Sequence, residues 1–313
     1  MKRLLRYRWR LIKTPIDQEM FMGSRIQRWI EKTFGSQEKP FLLTSEQMEH
    51  WQSRGFLVLK DFFKPEEIRT YEEEVSRLLA ERCEKAGDVV IDVLGGAYAG
   101  RRMRLRDAPD EAIEHPHKIN DLFLVSDNCR SLNLHPRLAE ILASLLQAEP
   151  LVINSLTFTK GSQQPYHFDT YYMPPPVEGH MVVSSICLED QTEAVGPLCY
   201  YPGSHLIPPY RFSHGGLWAV NEEMPQAQAY IREQLEQRGL QSETFIGNKG
   251  DVFIWHGQLY HGGSVIKDHN KTRCTLVTHY WACPDVEEDR QVRLPAGGAY
   301  LQRDHQPVPT EKK

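Results

Sequence analysis

Two neighbouring residues and a distant third have the types and settings of a metal-ligand set: His167 and Asp169 in Gln164-Pro-Tyr-His-Phe-Asp-Thr170, and His261 in Trp255-His-Gly-Gln-Leu-Tyr-His-Gly-Gly263. On a strand, residues i and i+2 face the same way, so the imidazole of His167 and the carboxylate of Asp169 are expected to project together into one cavity. Two histidines and one carboxylate on one face of an octahedron leave three positions free, which is what non-haem iron(II) needs to bind a chelating co-substrate and dioxygen together. The same donors could hold zinc with an open water position, which keeps a metal-dependent hydrolase in play. His-x-Asp alone is a weak signal. His256, five residues before His261, is the competing histidine. The two glycines after His261, which would let the backbone pass close to a bound ligand, favour His261.

Arg273 follows His261 by twelve residues, at the head of Cys274-Thr-Leu-Val-Thr-His-Tyr-Trp281. A guanidinium clamps a carboxylate through two parallel hydrogen bonds, which suits the distal carboxylate of 2-oxoglutarate. Asn154, polar within an apolar run, is a candidate donor to that co-substrate, with satisfaction inside a sheet as the alternative. His205 reads as a turn residue. The arginines 101, 102, 104 and 106 form either a solvated face or a site for a phosphate or carboxylate. Tyr171 and Tyr172 either line a substrate pocket or fill the barrel mouth.

The elements that must position these residues change in kind along the chain. Thr44 and Gln47 fit a capping box, and Gly55 fits the end of that helix. A short strand over 56–59 precedes a helix opened by Pro65, with apolar residues at helical spacing until Gly87, and a further helix spans 137–146. This lead-in reads as mainly helical. Short β-branched and aromatic runs follow at 151–159, 181–188, 198–201, 250–255 and 274–281, with a helical insertion at 221–241. The expected fold is mainly β with supporting helices, a β-sandwich or jelly-roll barrel.

Composition narrows the setting. Residues 1–39 hold ten Lys/Arg against four Asp/Glu in a chain of net charge −5, and residues 2–13 form a basic amphipathic helix with Trp9 and leucines on one arc. That pattern fits peripheral contact with an anionic membrane surface, or docking on the protein body or a second subunit. It does not suggest nucleic-acid binding. The six cysteines lack metal-motif or disulfide-framework spacing, so free thiols in the cytoplasm are expected. No apolar run reaches the length of a membrane span, and no signal peptide is evident.

The segments Gly161-Ser-Gln-Gln-Pro-Tyr-His-Phe-Asp169, Leu188-Glu-Asp190 with Gly196-Pro-Leu198, Tyr201-Pro-Gly-Ser-His205, and Gly250-Asp251 through His261 to Arg273 resemble, in this order, the phytanoyl-CoA dioxygenase family. With weaker similarity at Gly55-Phe-Leu-Val-Leu59 and Lys118-Ile-Asn-Asp-Leu122, the resemblance covers about residues 40–285, leaving 1–39 as a basic N-terminal segment and 286–313 as a C-terminal tail. It implies a double-stranded β-helix (cupin-like) core, iron(II) as cofactor, 2-oxoglutarate and dioxygen as co-substrates, and oxidation of an unactivated C–H bond. Ser185 stands where relatives often carry an aromatic residue, and Gly263 where many carry serine, the serine here being Ser264. A halogenase would need a vacancy where Asp169 stands, and a non-catalytic barrel is the remaining alternative class. For the substrate, acyl-CoA, a small acid, a secondary metabolite and a membrane glycolipid such as a lipopolysaccharide sugar stay open. The amphipathic terminus favours the lipid-linked choice.

Overall fold

From Thr44 onward the chain folds as its capping residues dictate. Thr44 Oγ1 accepts from Gln47 N at 3.1 Å and Gln47 Oε1 accepts from Thr44 N at 2.9 Å, closing the expected box at the head of α1 (Ser45–Arg54). Gly55, at φ +79°, ends that helix in the left-handed conformation. β1 (Phe56–Leu59) follows, and Pro65 opens α2 (Pro65–Ala80), which buries Ile68, Tyr71 and Val75. The computed structural model describes residues 43–295 and 297–309. The basic segment 1–39, with the amphipathic helix expected at 2–13, lies outside the described residues.

The lead-in is less helical than its composition suggests. It contains β2 (Val90–Val93), β3 (Arg102–Arg104) and β4 (His117–Asn120) before α3 (Asp127–Asn133) and α4 (Pro136–Leu146). The usual apolar alternation is missing from β3 and β4 because Arg102, Lys118 and Asn120 line a cavity. Then come β5 (Pro150–Phe158), β6 (Met181–Cys187), β7 (Leu198–Tyr200), α5 (Met224–Gln237), β8 (Glu243–Phe245), β9 (Val252–His256), β10 (His261–Gly263) and β11 (Thr275–Ala282).

These strands make two sheets. The large one runs β1-β9-β6-β11-β5-β4-β2-β3 and the small one β10-β7-β8. Period-two alternation divides the large sheet's side chains cleanly. Val182, Ile186, Val252, Ile254 and Leu276 pack with α2 and α4 on the helix side. Met181, Val183, Phe253 and Trp255 turn inward to meet Tyr200 and Phe245 of the small sheet. This is the double-stranded β-helix expected from the sequence.

Two departures shape the interior. The regular register between β11 and β5 sets Asn154 and His279 together on the cavity side, and it shifts just after that pair, so Ile153 is an extra residue. Past residue 285, β12 (Gln291–Arg293) and β13 (Ala299–Leu301) pair with each other, and β13 runs parallel to Leu151 and Val152 of β5. The described part of the expected tail is therefore built into the sheet. All six cysteines are free. Among the described residues no helix is long and apolar enough to cross a membrane.

The turn at Gly250 launches β9 and with it Trp255. Asp251 is buried beneath that turn, accepting from Lys60 Nζ at 2.7 Å and from the backbone N–H groups of Asp61 and Asn248 at 2.9 Å each. Gly250 has φ +90°, and a Cβ there would stand 2.1 Å from the carbonyl oxygen of Phe63. Gly250→Ala is therefore expected to cost on the order of 2–3 kcal/mol, since backbone strain and a backbone clash add. Urea unfolding of the variant beside the parent chain measures this.

Candidate metal centre

The metal-ligand candidates are tied together by backbone. His167 N donates to His261 O at 2.8 Å and His261 N donates to His167 O at 3.1 Å, an isolated antiparallel bridge that holds the two rings 4.5 Å apart. Phe168 is extended, at φ −103° and ψ 132°, and its ring enters an aromatic cluster with Tyr171 and Tyr260. Asp169 then faces the same side as His167. It opens a 3-10 turn (Asp169–Tyr171) rather than lying within a strand, and the expected same-face geometry survives because only the residue between the two ligands must be extended.

His167 Nε2 lies 3.6 Å from Asp169 Oδ1, and His261 Nε2 lies 3.7 Å from Asp169 Oδ2. One donor atom from each of the three residues falls within 4.8 Å of the others. Both rings have a fixed tautomer: His167 Nδ1 is 2.8 Å from Pro165 O and His261 Nδ1 is 2.9 Å from Leu259 O. A carbonyl only accepts, so each Nδ1 carries the proton and each Nε2 offers a lone pair. Trp255 Nε1 donates to Asp169 Oδ2 at 2.9 Å. Burial opposes charge on Asp169, but the surrounding His261, His279 and His167 outweigh it and hold the carboxyl well below its usual range. Burial pushes His261 down to about 4. For this coupled pair an ionised carboxylate beside a neutral imidazole is the state the hydrogen bonds favour, and those are the forms that bind a metal.

The rival histidine is elsewhere. The ring of His256 packs against those of Trp51 and His205, at 6.1 and 5.4 Å, outside the cluster. His205 Nε2 in turn donates to Gln52 O at 3.1 Å, so it ties its loop to α1. The glycines after His261 line the cavity and also serve packing. A Cβ on Gly262 would meet Gln164 O at 2.9 Å, and one on Gly263 would meet Ser162 Oγ at 2.6 Å. They make room for the incoming segment 162–166 to cross β10. Ser264 Oγ donates to Pro197 O at 2.9 Å, turned to the neighbouring backbone.

A cavity of about 670 Å³ connects the cluster to Arg273, Asn154 and His279. Arg273 is 6% exposed and its Nε has no hydrogen-bond partner, while burial pushes the guanidinium down to about 10, still charged at neutral pH. Asn154 lines the cavity, yet its Nδ2 donates to Asp121 Oδ1 at 2.8 Å and its Oδ1 has no partner. One N–H of the amide is therefore committed to Asp121, while its Oδ1 is unpaired. Tyr172 borders the cavity, whereas Tyr171 is buried with its hydroxyl accepting from Tyr210 N at 2.9 Å. Of the four clustered arginines only Arg102 reaches the cavity: Arg104 pairs with Asp88, Arg106 with Asp107, and Arg101 stacks on Tyr98.

His279 escaped the sequence reading. Its Nε2 lies 3.4 Å from Asp169 Oδ1 and its Nδ1 is buried without a partner. The signal was present, since His279 stands an even number of residues after Arg273, which lies on the run leading into β11, and both border the cavity.

Fold and donor set together define a double-stranded β-helix protein with a two-histidine, one-carboxylate site for a single metal ion. The chain belongs to the phytanoyl-CoA dioxygenase (PhyH) family, whose profile matches residues 51–267. It is 30% identical over 175 residues to an ectoine dioxygenase of Bordetella parapertussis, covering 52% of this chain and 50% of that protein. It is 26% identical over 241 residues to an ectoine dioxygenase of Halomonas elongata, covering 71% of this chain and 65% of that one. The match thus spans about half the length of the first relative and just under two thirds of the second. Among solved structures, EctD from S. alaskensis with bound Fe superposes with a TM-score of 0.57 at 19% identity over 81% of each chain. The non-heme alpha-ketoglutarate-dependent carbocyclase SnoK from nogalamycin biosynthesis gives 0.57 at 17% identity, covering 79% of this chain and 87% of that one.

Trp255→Phe keeps the ring in the core but removes the donor to Asp169, and is expected to weaken iron(II) binding by about 10–100-fold. His256→Ala should leave it unchanged. Equilibrium iron(II) titration under nitrogen measures both, and equal losses in the two variants would contradict the ligand assignment.

Proposed function

We propose that the chain is an iron(II)- and 2-oxoglutarate-dependent dioxygenase that hydroxylates a small organic molecule. The observation that carries this reading is one cavity holding, side by side, three ligands with fixed donor atoms and a buried arginine whose Nε has no partner. His167, Asp169 and His261 would hold the metal, and Arg273 would receive the distal carboxylate of 2-oxoglutarate through paired N–H donors. The bound iron and co-substrate supply dioxygen activation and oxidation of a C–H bond. The protein's own contribution is to fix donor geometry, through Pro165 O, Leu259 O and Trp255, and to keep the reacting end of the cavity buried.

A hydrolase using the same three donors would have no use for a buried guanidinium beside its metal, so Arg273 favours the oxygenase. Asp169 occupies the position a halogenase would leave to halide. A cavity of about 670 Å³ is in the range of small-molecule sites. The names of the relatives, ectoine dioxygenases, also favour a small substrate over acyl-CoA or a lipid-linked sugar. The case for a membrane substrate rested on residues 2–13, outside the described residues.

Purified protein with iron(II) is expected to convert 2-oxoglutarate to succinate slowly without added substrate, and Ala at 167, 169 or 261 should abolish this. Arg273→Leu should retain iron(II) but weaken 2-oxoglutarate binding at least tenfold, because losing one partner of a buried charge pair costs on the order of 2–5 kcal/mol. Calorimetric titration of 2-oxoglutarate into the iron-loaded variant under nitrogen decides it: an unchanged affinity would move the anchor to another residue.

A further inference from the structure

One wall of the cavity comes from the helical insertion between β7 and β8. Ala219 N donates to Tyr171 O at 2.8 Å, which lays the entry to the insertion beside the segment that carries His167 and Asp169. A 3-10 turn (Asn221–Glu223) then leads into α5. On α5 the positions 224, 227, 228, 231 and 235 recur at helical spacing and form one stripe. Ala227, Ile231 and Leu235 of that stripe are buried in one cluster with Phe168 and Tyr171, and Met224 packs against the same cluster.

Gln228 is the polar member of the stripe. It stands where the helix calls for an apolar side chain, and it lines the cavity with Asn221 and Met224. Neither carboxamide, of Asn221 or of Gln228, makes a hydrogen bond among the described residues. Tyr172 and Met173 complete this wall, and the ring of Tyr172 stands edge-on to that of His167 with centroids 5.6 Å apart, so the wall adjoins the metal ligands. The lining drawn from 172–173 and 221–228 contains no ionised side chain. Glu222 is exposed and Glu223 accepts from Ser213 N at 3.0 Å, both outside the lining.

A carboxamide offers N–H donors and a carbonyl acceptor at one place, so it pairs fully with a group that has both, an amide or a hydroxyl. A carboxylate supplies only acceptors and an ammonium only donors. Either would lose water beside Tyr172 and Met224 with no opposite charge in this wall to replace it. We propose that Gln228, assisted by Asn221 at the head of the insertion, is a specificity-determining residue that selects a substrate through an uncharged amide or hydroxyl group. The proposal rests on the dioxygenase reading for the chemistry done on that substrate, while the recognition stands on the stripe of α5 and its free carboxamide. A glutamine in that stripe gives up apolar packing and gains no partner from the protein, so its partner comes from the cavity.

The test is calorimetric titration of the full chain, held under nitrogen with iron(II) and saturating 2-oxoglutarate, with four six-membered rings: δ-valerolactam, cyclohexanol, cyclohexanone and cyclohexylammonium. The lactam or the alcohol should bind saturably and at least about fivefold more tightly than cyclohexanone, which accepts but cannot donate. Preference for the lactam marks an amide on the substrate, and preference for the alcohol a hydroxyl. Gln228→Leu should erase the advantage over cyclohexanone, and Gln228→Glu should shift the preference to cyclohexylammonium. Because leucine continues the apolar stripe, the urea midpoint of Gln228→Leu should not fall, whereas a glutamine held by a protein partner would lower it. Cyclohexanone binding as tightly as the lactam and the alcohol, a preference that survives Gln228→Leu, or no saturable binding of either neutral donor would overturn the proposal. The titrations are repeated without 2-oxoglutarate. If 2-oxoglutarate itself fails to bind, the dioxygenase reading falls, and the comparison of the rings still decides the role of Gln228.

Discussion

Two backbone hydrogen bonds, exchanged between His167 and His261, are the constraint on which the site depends. They bring a loop that follows β5 against the short strand β10 of the small sheet, and they do so at the residues that carry the imidazoles. Side chains on a bridged pair inherit the precision of the backbone pairing, which is far stiffer than a loop. Asp169 then needs only one extended residue, Phe168, to reach the same face, and the burial of that aromatic ring fixes the step. Gly262 and Gly263 are the steric condition for the crossing, since any side chain there would push the loop away from the strand.

Much of this was legible in the sequence, for identifiable reasons. The triad and Arg273 could be read because metal ligation demands particular residue types in a particular order. The capping box at Thr44 and the strands from β5 onward followed from local chemistry and apolar runs. What stayed hidden lay where an element serves the cavity instead of the core. Lys118 and Asn120 give β4 a polar inner face, so it carried no strand signature, and Arg102 stood in a cluster that read either as a solvated face or as an anion site. The bulge at Ile153 was also unreadable, because an extra residue in a strand changes the partner register and leaves the hydrophobic pattern of the strand itself almost intact. His279 shares parity with Arg273 and could have been found by alternation alone.

Polar groups around the cavity are matched in two ways. At the metal end, polar groups are matched closely: each ring has its carbonyl, and the carboxylate has its indole donor. Such matching keeps buried polar groups inexpensive and rigid. At the β2–β4 end, charges are paired in groups, with Asp92 shared between two cations and Asp121 taken by Arg303 and Asn154. Rigidity of the first kind suits chemistry that is the same in every turnover.

The parallel pairing of β13 with β5 also orders events in time. Residues 299–303 leave the ribosome after nearly everything they pack against, yet Arg303 is the cation that neutralises the fully buried Asp121. Until that arginine arrives, the nascent barrel has an open strand edge beside Leu151 and Val152 and a carboxylate that cannot be buried in its charged form. β1 likewise waits for β9, about 200 residues later, since Phe56 pairs with Trp255. A chain whose sheet closes through such distant partners matures late in synthesis, and its half-made forms expose an unpaired edge.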